Sequence, residues 1–197
     1  MKKKVEELER LSLTEFKKSP KTPIVLILDN IRSRNNVGAI FRTADCFRIQ
    51  KICLCGITPV PPHRDINKTA IGSTSSVDWK YYKNTNEALK DYALEGYILC
   101  VVEQVHHSIN LDNFVVEPNK KYALILGNEL NGVHHDVISK SDVSVEIPQI
   151  GTKHSFNVAS SSAIAMWHFF LSIESKQRLI LLISLVKSSS FKTKSKS

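Results

Sequence analysis

Short, nearly continuous apolar runs alternate with segments of helical periodicity along most of the chain. The spacing of apolar residues between these runs predicts helices over Val37–Phe47, Thr85–Leu94 and Ser160–Ile173. Strands that are apolar on both faces are typical of a parallel sheet covered by helices on both sides. The pattern therefore predicts an α/β domain. The predicted strands are Ile24–Leu28, Ile52–Cys55, Val77–Tyr82, Tyr97–Val102, Tyr122–Leu126 and Val143–Ile147.

The two ends of the chain depart from this pattern. Residues 1–21 interleave charges of both signs, and Ser12 and Glu15 have the spacing of a capping box, so we expect a helical extension there. We expect it to pack on the core or on RNA, or to be a solvated arm. Residues 22–174 hold the predicted domain. Residues 175–197 finish with KSSSFKTKSKS, which has four lysines and no acid. We expect a basic extension that is disordered at its end, or a loose contact for RNA.

Composition narrows the class of protein. A chain of 197 residues with 42% hydrophobic residues suits one domain with a sizeable core. The net charge of +8 favours an anionic partner, most often nucleic acid; the alternative is a merely basic protein. Four cysteines without a CxxC pair indicate reduced thiols and a cytoplasmic protein. Cys53 and Cys55 alternate on a predicted strand, so both should be buried on one face.

Membrane and secretory signals are not expected either. The first ten residues, MKKKVEELER, have no apolar core of the kind that a signal peptide carries. The apolar run Leu179–Val186 is far too short to span a bilayer.

Polar residues collect where three predicted strands end. The first strand is followed by DNIRSRNNVGAIFRTA, the fifth ends in LGNELNGV, and the last continues into IPQIGTKHSFNVASSSAIAMW. Ligands of open α/β sheets bind beyond the carboxyl ends of the strands. We therefore predict that these three segments form one composite pocket.

Each of these residues also has a simpler interpretation. Gly127 either lets the backbone approach a ligand or is a turn glycine, and Gly132 has the same two interpretations. Glu129 either accepts hydrogen bonds or is a solvated loop acid. Ser155 and Asn157 precede a helix and are candidate caps.

Arg42 lies inside an apolar helical pattern, where an unpaired charge is costly. We therefore expect an anionic partner for it, and on a basic protein a phosphate is the natural one. Lys68, with His63 and Arg64, forms a predicted basic loop within reach of a phosphate.

Several common sites are not predicted. The chain has no GxGxxG, no GxxxxGK[ST] and no HExxH, so the usual dinucleotide, P-loop and zinc-protease sites are not expected. His106–His107 and His134–His135 are adjacent pairs, a spacing that does not easily place two rings on one metal. We expect no metal.

The three clusters together resemble the SpoU (TrmH-type) family of RNA ribose 2′-O-methyltransferases, within the SPOUT superfamily. The family's NxGAxxRTA is similar to Asn36–Ala44, its LxxGxExxG to Leu124–Gly132, and its IPM…SLNVS to Ile147-Pro148-Gln149 followed by Ser155–Ala159. The resemblance covers roughly residues 22–172. The chain departs from the family at Phe47-Arg48, where FG is usual, and it reads SFNVASS instead of SLNVS.

The resemblance implies a parallel sheet whose C-terminal part forms a deep trefoil knot, S-adenosylmethionine as methyl donor, and a homodimer with the site at its interface. It implies that Arg42 organises the phosphate beside the reactive hydroxyl, or acts as the base. Arginine is a reluctant base, which favours the first role. Asn36, Glu129, Ser155 and Asn157 would hold Arg42, the cofactor and the loops. The donor would contact Val102, Leu126, Gly127, Asn128, Ile147 and Phe156. The RNA would contact Arg34, Arg48, Arg64 and Lys68.

The expected activity is transfer of a methyl group to a ribose 2′-hydroxyl, with tRNA as the preferred substrate. The twenty-one residues before the predicted domain are too few for a separate RNA-binding domain, so we expect tRNA rather than rRNA as the substrate. The alternatives are an rRNA enzyme of the same family and an RNA-binding protein that has the fold without the chemistry.

Overall fold

One sheet of seven parallel strands organises the chain, which the computed structural model describes over residues 10–174. The sheet order is β3-β2-β1-β6-β4-β7-β5, so β1 and β6 are central neighbours although about a hundred residues separate them. The strands are β1 (Thr22–Asp29), β2 (Ile49–Cys55), β3 (Trp79–Tyr82), β4 (Tyr97–Val102), β5 (Ile109–Asn110), β6 (Lys121–Leu126) and β7 (Val143–Glu146).

Helices connect these strands and cover both faces of the sheet. A single 3₁₀ turn, Leu111–Asn113, follows β5. The helices are α1 (Leu13–Lys18), α2 (Arg34–Cys46), α3 (Arg64–Ala70), α4 (Ser73–Ser76), α5 (Thr85–Leu94), α6 (His135–Ile138) and α7, which is helical over residues 158–174. The predicted α/β class, its parallel sheet and the three long helices are confirmed.

The boundaries differ from the predictions where capping side chains act. Helix α2 starts at Arg34, three residues earlier than predicted, because the Ser33 hydroxyl accepts a hydrogen bond from Asn36 N at 3.3 Å. Helix α7 starts at residue 158, behind the cap of Asn157, whose Oδ1 accepts from Ala159 N at 2.9 Å. Strands β3 and β7 are shorter than predicted.

The prediction that residues 63–68 form a basic loop is wrong, because Arg64–Ala70 form helix α3. His63 is the N-cap of α3, and Arg64 and Lys68 are exposed on that helix. The helix buries only Ile66 and Ala70, one residue per turn. So short an apolar pattern does not stand out from a loop in the sequence alone.

The core has one layer on each face of the sheet. Alternate residues of β1 divide between the layers: Leu26 packs towards α2, α3 and α7, whereas Ile27 packs towards α5 and α6. Cys53 and Cys55 lie buried together in the α5 layer, as predicted. Burial raises the pKa of the Cys53 thiol to about 11, so this thiol stays protonated at neutral pH.

The N-terminal extension begins with the predicted capping box. Ser12 N donates to the Glu15 carboxylate at 2.8 Å, and Glu15 N donates to the Ser12 hydroxyl at 3.3 Å. Phe16 on this helix is only 7% exposed and belongs to the core, so the described part of the extension packs on the domain. The predictions for residues 1–9 and 175–197 fall outside the described residues. Within residues 10–174, no helix is long and apolar enough to cross a membrane.

Gly38 is a glycine because two helices touch there. An added Cβ at Gly38 would lie 2.1 Å from the Thr69 hydroxyl and 2.3 Å from the Ile66 carbonyl oxygen, both on α3. Thr69 also donates a hydrogen bond to the Asn35 carbonyl at 3.0 Å. Gly38, the glycine of NNVGAIFRTA, therefore allows α2 to pack closely on α3. It is not among the residues that line the 640 Å³ cavity at the carboxyl end of the sheet.

Gly38→Ala is expected to destabilise the fold by about 1–3 kcal/mol, because the methyl group has no space between the helices. The better helix propensity of alanine offsets only about 1 kcal/mol. Urea unfolding followed by circular dichroism measures the change. Gly151→Ala is the matched control, since nothing lies within 4 Å of its added Cβ. Equal stability of the two variants would contradict the packing explanation.

Candidate active site

The carboxylate of Glu129 joins two of the three predicted clusters. It accepts hydrogen bonds from the backbone N–H groups of Arg32 and Ser33 and from the Asn36 side chain, each at 2.9 Å. These donors belong to the segment that leaves β1 and opens α2. A carboxylate also suits the positive end of the helix dipole at the start of α2. Glu129 therefore connects the loop after β6 with the segment after β1, and it is not a solvated loop acid.

Asn36 and Asn157 extend this contact to the third cluster. The Asn157 side-chain amide donates to Asn36 Oδ1 at 3.1 Å, while Asn157 Oδ1 caps α7. Asn157 is thus the helix cap that its sequence position suggested, and it also contacts Asn36. The chain Glu129–Asn36–Asn157 connects residues that are up to 121 positions apart, which confirms that the three segments meet in one place.

The ionisation of Glu129 follows from these contacts. Partial burial of the carboxyl group acts to raise its pKa. The hydrogen bonds donated by Arg32 N–H, the Asn36 amide and Ser33 N–H act in the opposite direction and prevail, so the pKa of Glu129 lies below its ordinary value. Glu129 is therefore a firmly ionised acceptor at neutral pH.

A cavity of about 640 Å³ opens beside this cluster at the carboxyl end of the sheet. Its walls include all six predicted donor contacts: Val102, Leu126, Gly127, Asn128, Ile147 and Phe156. Glu129, Ser155 and Asn157 of the predicted catalytic set also line it. Ser155 has no hydrogen bond within residues 10–174, so its predicted role as a support is not seen in the described contacts.

The loop after β6 is built by close contacts of its own backbone. Asn128 and Gly132 exchange two backbone hydrogen bonds of 2.9 Å, which close the loop at its base. A Cβ on Gly127 would lie 2.1 Å from Val133 N, and Gly132 has a φ of +66°. Both glycines are therefore required by the shape of the loop, which forms one wall of the cavity.

The charge of the cavity walls is the reverse of the charge of the whole protein. Glu103, Glu129 and Glu146 are among the lining residues, and no Lys, Arg or His of the described chain is. A pocket of this kind in a protein of net charge +8 favours a ligand that carries positive charge.

Arg42 does not line this cavity. It is exposed on α2, and none of the described ion pairs or hydrogen bonds includes its side chain. Exposure to water removes the cost of leaving its charge unpaired within the protein, and the expected phosphate partner stays a prediction. Its guanidinium is available to an external anion.

The predicted RNA contacts fall into two groups. Arg34, Arg64 and Lys68 are exposed on α2 and α3, which pack together through Gly38. Arg48 instead lies 3.9 Å from Glu174 on α7. An ion pair this exposed contributes little to stability, about 0–1 kcal/mol.

Sequence reasoning did not include several residues that shape the site. Arg32 is exposed beside the cluster, next to the backbone N–H that binds Glu129. Asp29 is 2% exposed and accepts from His134 N at 3.0 Å, and Glu103 accepts from Val133 N at 3.0 Å. The available signal was the same for all three: each polar residue lies at or just after the end of a predicted strand. Within residues 10–174, no group of three or more His, Cys, Asp or Glu side chains is placed to hold a metal ion.

Comparison with known proteins identifies relatives of this chain. A 26% identical relative, the "tRNA (guanosine(18)-2'-O)-methyltransferase" of Borreliella burgdorferi, aligns with 75% of this chain and 66% of its own length. A 32% identical "Uncharacterized tRNA/rRNA methyltransferase" of the same organism aligns with 79% of this chain and 67% of its own length. The SpoU methyltransferase AviRb of Streptomyces viridochromogenes, in complex with the cofactor AdoMet, superposes with a TM-score of 0.70 at 18% identity.

That superposition covers 84% of this chain and 64% of AviRb, and at this identity it shows the fold alone. The chain spans about two thirds of the length of the two relatives. The model of the SpoU rRNA Methylase family matches residues 23–167, which contain all three clusters and most of the described domain. The chain therefore belongs to the SpoU rRNA Methylase family.

Proposed function

We propose that this protein transfers a methyl group from S-adenosylmethionine to a ribose 2′-hydroxyl of RNA, with tRNA as the preferred substrate. The observation that carries the proposal is the Glu129–Asn36–Asn157 cluster, which stands at the wall of a cavity lined by carboxylates. The relative named as a tRNA methyltransferase favours tRNA. The relative named for both tRNA and rRNA keeps rRNA as the second candidate.

The cavity suits S-adenosylmethionine in size, polarity and charge. Val102, Leu126, Ile147 and Phe156 would supply apolar surface to the cofactor, and the backbone of Gly127 and Asn128 would supply hydrogen-bonding groups. When bound, this cofactor supplies an electrophilic methyl group on a positively charged sulfur. The carboxylates in the walls stabilise that charge.

Arg42 is proposed to bind the phosphate next to the reactive ribose. Its exposed guanidinium offers a planar pair of donors that match two phosphate oxygens. Held in this way, the 2′-hydroxyl is placed in line for attack, which is the main contribution that a protein makes to such a transfer. The 2′-hydroxyl oxygen gains the methyl group and loses its proton during the reaction, and the proton's acceptor is left open by this assignment.

The RNA backbone is proposed to run over α2 and α3. Arg34, Arg64 and Lys68 are exposed there, and Arg32 adds a fourth cation beside the cluster. Contacts of this kind position an RNA without reading its sequence. The nucleotide is then selected by the shape of the surrounding RNA. We expect the enzyme to act in the cytoplasm, where tRNA and rRNA are found.

A homodimer is part of the proposal. Helix α7 exposes an apolar stripe at Ile164 (38%), Trp167 (49%) and Leu171 (43%), spaced three and four residues apart. Two further apolar side chains are exposed in the segment before α7. Phe156 is 42% exposed and lines the cavity, and Ile150 is fully exposed. A second copy of the chain is the proposed occupant, because the stripe lies on the helix whose first turns line the cavity, at Val158 and Ser161, and Arg42 does not line that cavity within one chain.

Trp167→Glu is expected to convert the dimer into monomers, because it puts a charge into the middle of the apolar stripe. Light scattering after size-exclusion chromatography measures the mass. The matched control is Leu94→Glu, since Leu94 is 79% exposed on α5, outside the stripe. A Trp167→Glu variant that keeps the mass of two chains would place the interface elsewhere.

We also propose that the C-terminal part of the domain forms the trefoil knot that the family resemblance implies. It is supported by the position of β7 between β4 and β5, and by the hydrogen-bond distance of 3.0 Å between His168 Nε2 on α7 and the Phe114 carbonyl oxygen. These contacts place the chain after β7 against the connection between β4 and β6. A crystal structure of the protein with S-adenosylmethionine would test the threading directly.

The activity is tested by incubating the protein with methyl-labelled S-adenosylmethionine and, separately, bulk tRNA and bulk rRNA. Digestion to nucleosides then locates the label. We expect 2′-O-methylated nucleosides from tRNA. Label in rRNA alone would transfer the proposal to the second candidate, and label on a base would overturn the role of Arg42. If neither RNA is labelled and calorimetry detects no donor binding, the protein is an RNA binder with this fold.

A further inference from the structure

We propose that Glu103 is a positioning residue for the methyl donor, because its carboxylate holds the loop 127–133 against the end of β4. This inference rests on the proposed function, which identifies the ligand of the cavity as S-adenosylmethionine. None of the three sequence clusters includes Glu103, and the donor contacts expected from the family resemblance stop one residue earlier, at Val102.

The backbone of Glu103 is anchored before its side chain acts. Glu103 N donates to the Val145 carbonyl of β7 at 3.0 Å, so the residue continues the pairing of β4 with β7. Its Oε1 accepts from Gln104 N at 2.9 Å, which orients the carboxylate. Its Oε2 accepts from Val133 N at 3.0 Å. The side chain thus connects a rigid strand end with the last residue of the loop.

Gly132 shows how closely this contact is fitted. A Cβ on Gly132 would lie 2.3 Å from Oε2 of Glu103, and the φ of +66° at Gly132 disfavours any side chain. Two backbone hydrogen bonds join Gly132 to Asn128, so a shift of Gly132 would move both ends of the loop together. The carboxylate of Glu103 therefore determines where the loop wall stands relative to the cavity.

A second carboxylate fixes the neighbouring residue of the loop. His134 N donates to Asp29 at 3.0 Å, and Asp29 also accepts from Thr85 and Asn30. Successive N–H groups at residues 133 and 134 are therefore held by carboxylates from two different strands. Asp29 is buried and does not line the cavity, whereas Glu103 does. Of the two carboxylates that hold the loop, Glu103 is therefore the one next to the proposed donor site.

Glu103→Gln is expected to weaken binding of S-adenosylmethionine by about ten- to a hundredfold, because an amide keeps one acceptor oxygen and leaves one of the two backbone donors without an acceptor. Calorimetry without RNA measures this affinity. The donor affinity should fall by a larger factor than the rate at saturating donor, and the KM for RNA should stay within a factor of about three of the wild-type value. Glu95→Gln, on the exposed turn after α5, is the matched control.

Glu103→Asp separates geometry from charge. Aspartate keeps the charge but is shorter by one methylene group, so it does not reach Val133 N in the same way. We expect the donor affinity of Glu103→Asp to fall as far as that of Glu103→Gln. Wild-type affinity in the aspartate variant would show that charge alone matters, and it would overturn the positioning role.

Gly132→Ala tests the same contact from the loop side and is expected to lower donor affinity by a similar factor, because its methyl group displaces the carboxylate. Unchanged affinity in both Glu103→Gln and Gly132→Ala, with a wild-type protein that binds the donor, would overturn the inference. A wild-type protein that does not bind S-adenosylmethionine would instead overturn the proposed function, and the inference with it.

Discussion

Arg42→Ala is expected to lower methyl transfer to RNA by about 10³-fold at saturating donor, because it removes the cation proposed to hold the phosphate beside the reactive hydroxyl. Arg42 is exposed and outside the donor cavity, so the affinity for S-adenosylmethionine should stay at its wild-type value. Stability should change by no more than about 0.5 kcal/mol, as for other exposed side chains. Single-turnover transfer of labelled methyl groups measures the rate, and calorimetry measures the donor affinity.

Lys90→Ala controls for the loss of a positive charge, since Lys90 is exposed on α5, on the opposite face of the sheet. Arg34→Ala provides a second comparison. It should raise the KM for RNA and reduce the salt dependence of RNA binding, because a backbone phosphate contact contributes through counterion release. Full activity of Arg42→Ala would remove Arg42 from the mechanism, and loss of donor binding would show that its role is structural.

Glu129→Gln is expected to lower the free energy of unfolding by about 2 kcal/mol at pH 7 and methyl transfer by about a hundredfold. The neutral amide loses the charge-assisted hydrogen bonds from Arg32 N and Ser33 N, and it presents an N–H group where an acceptor is needed. The activity falls because the start of α2 and Asn36 lose their anchor at the cavity wall.

The pH dependence of this difference has a definite sign. The pKa of Glu129 is lowered in the folded protein, so its ionised form contributes stability above the ordinary glutamate pKa of about 4.3. This contribution is lost as the pH falls from that value through the lower pKa of the folded state. Urea unfolding of both proteins between pH 7 and pH 3.5 should show the wild-type advantage shrinking only at the acid end. An advantage that is independent of pH would contradict the assigned role of the charge.

The position of the site could be predicted from the sequence because its chemistry is concentrated at strand ends. The apolar runs around Leu26 and Leu124 predict strands of one parallel sheet, and polar residues after such strands must lie at one edge of that sheet. Asn36, Glu129 and Asn157 were recognised in this way, and the structure joins them by hydrogen bonds. The family of the chain also followed from these segments.

The function of individual residues was harder to predict, because it depends on what a distant segment places beside them. Gly38 illustrates the difficulty, since a close approach of the backbone to a ligand and a close approach to another helix both require glycine. The contacts of Gly38 with Thr69 and Ile66, about thirty positions away, show that this glycine allows the close approach of a helix. Arg42 lies in an apolar helical pattern, and only the packing of α2 shows that its side chain is exposed and open to an external anion such as the expected phosphate.

The sequence by itself determined the α/β class, the centres of six strands and three helices and the three clusters of the site, because apolar periodicity and strand-end chemistry are local properties. The tertiary structure alone decided that Glu103 and Asp29 hold the loop after β6, that Arg64–Ala70 is helical, and that the cavity is lined by carboxylates in a basic protein. These features arise from contacts between residues far apart in the chain, and no local pattern encodes such contacts.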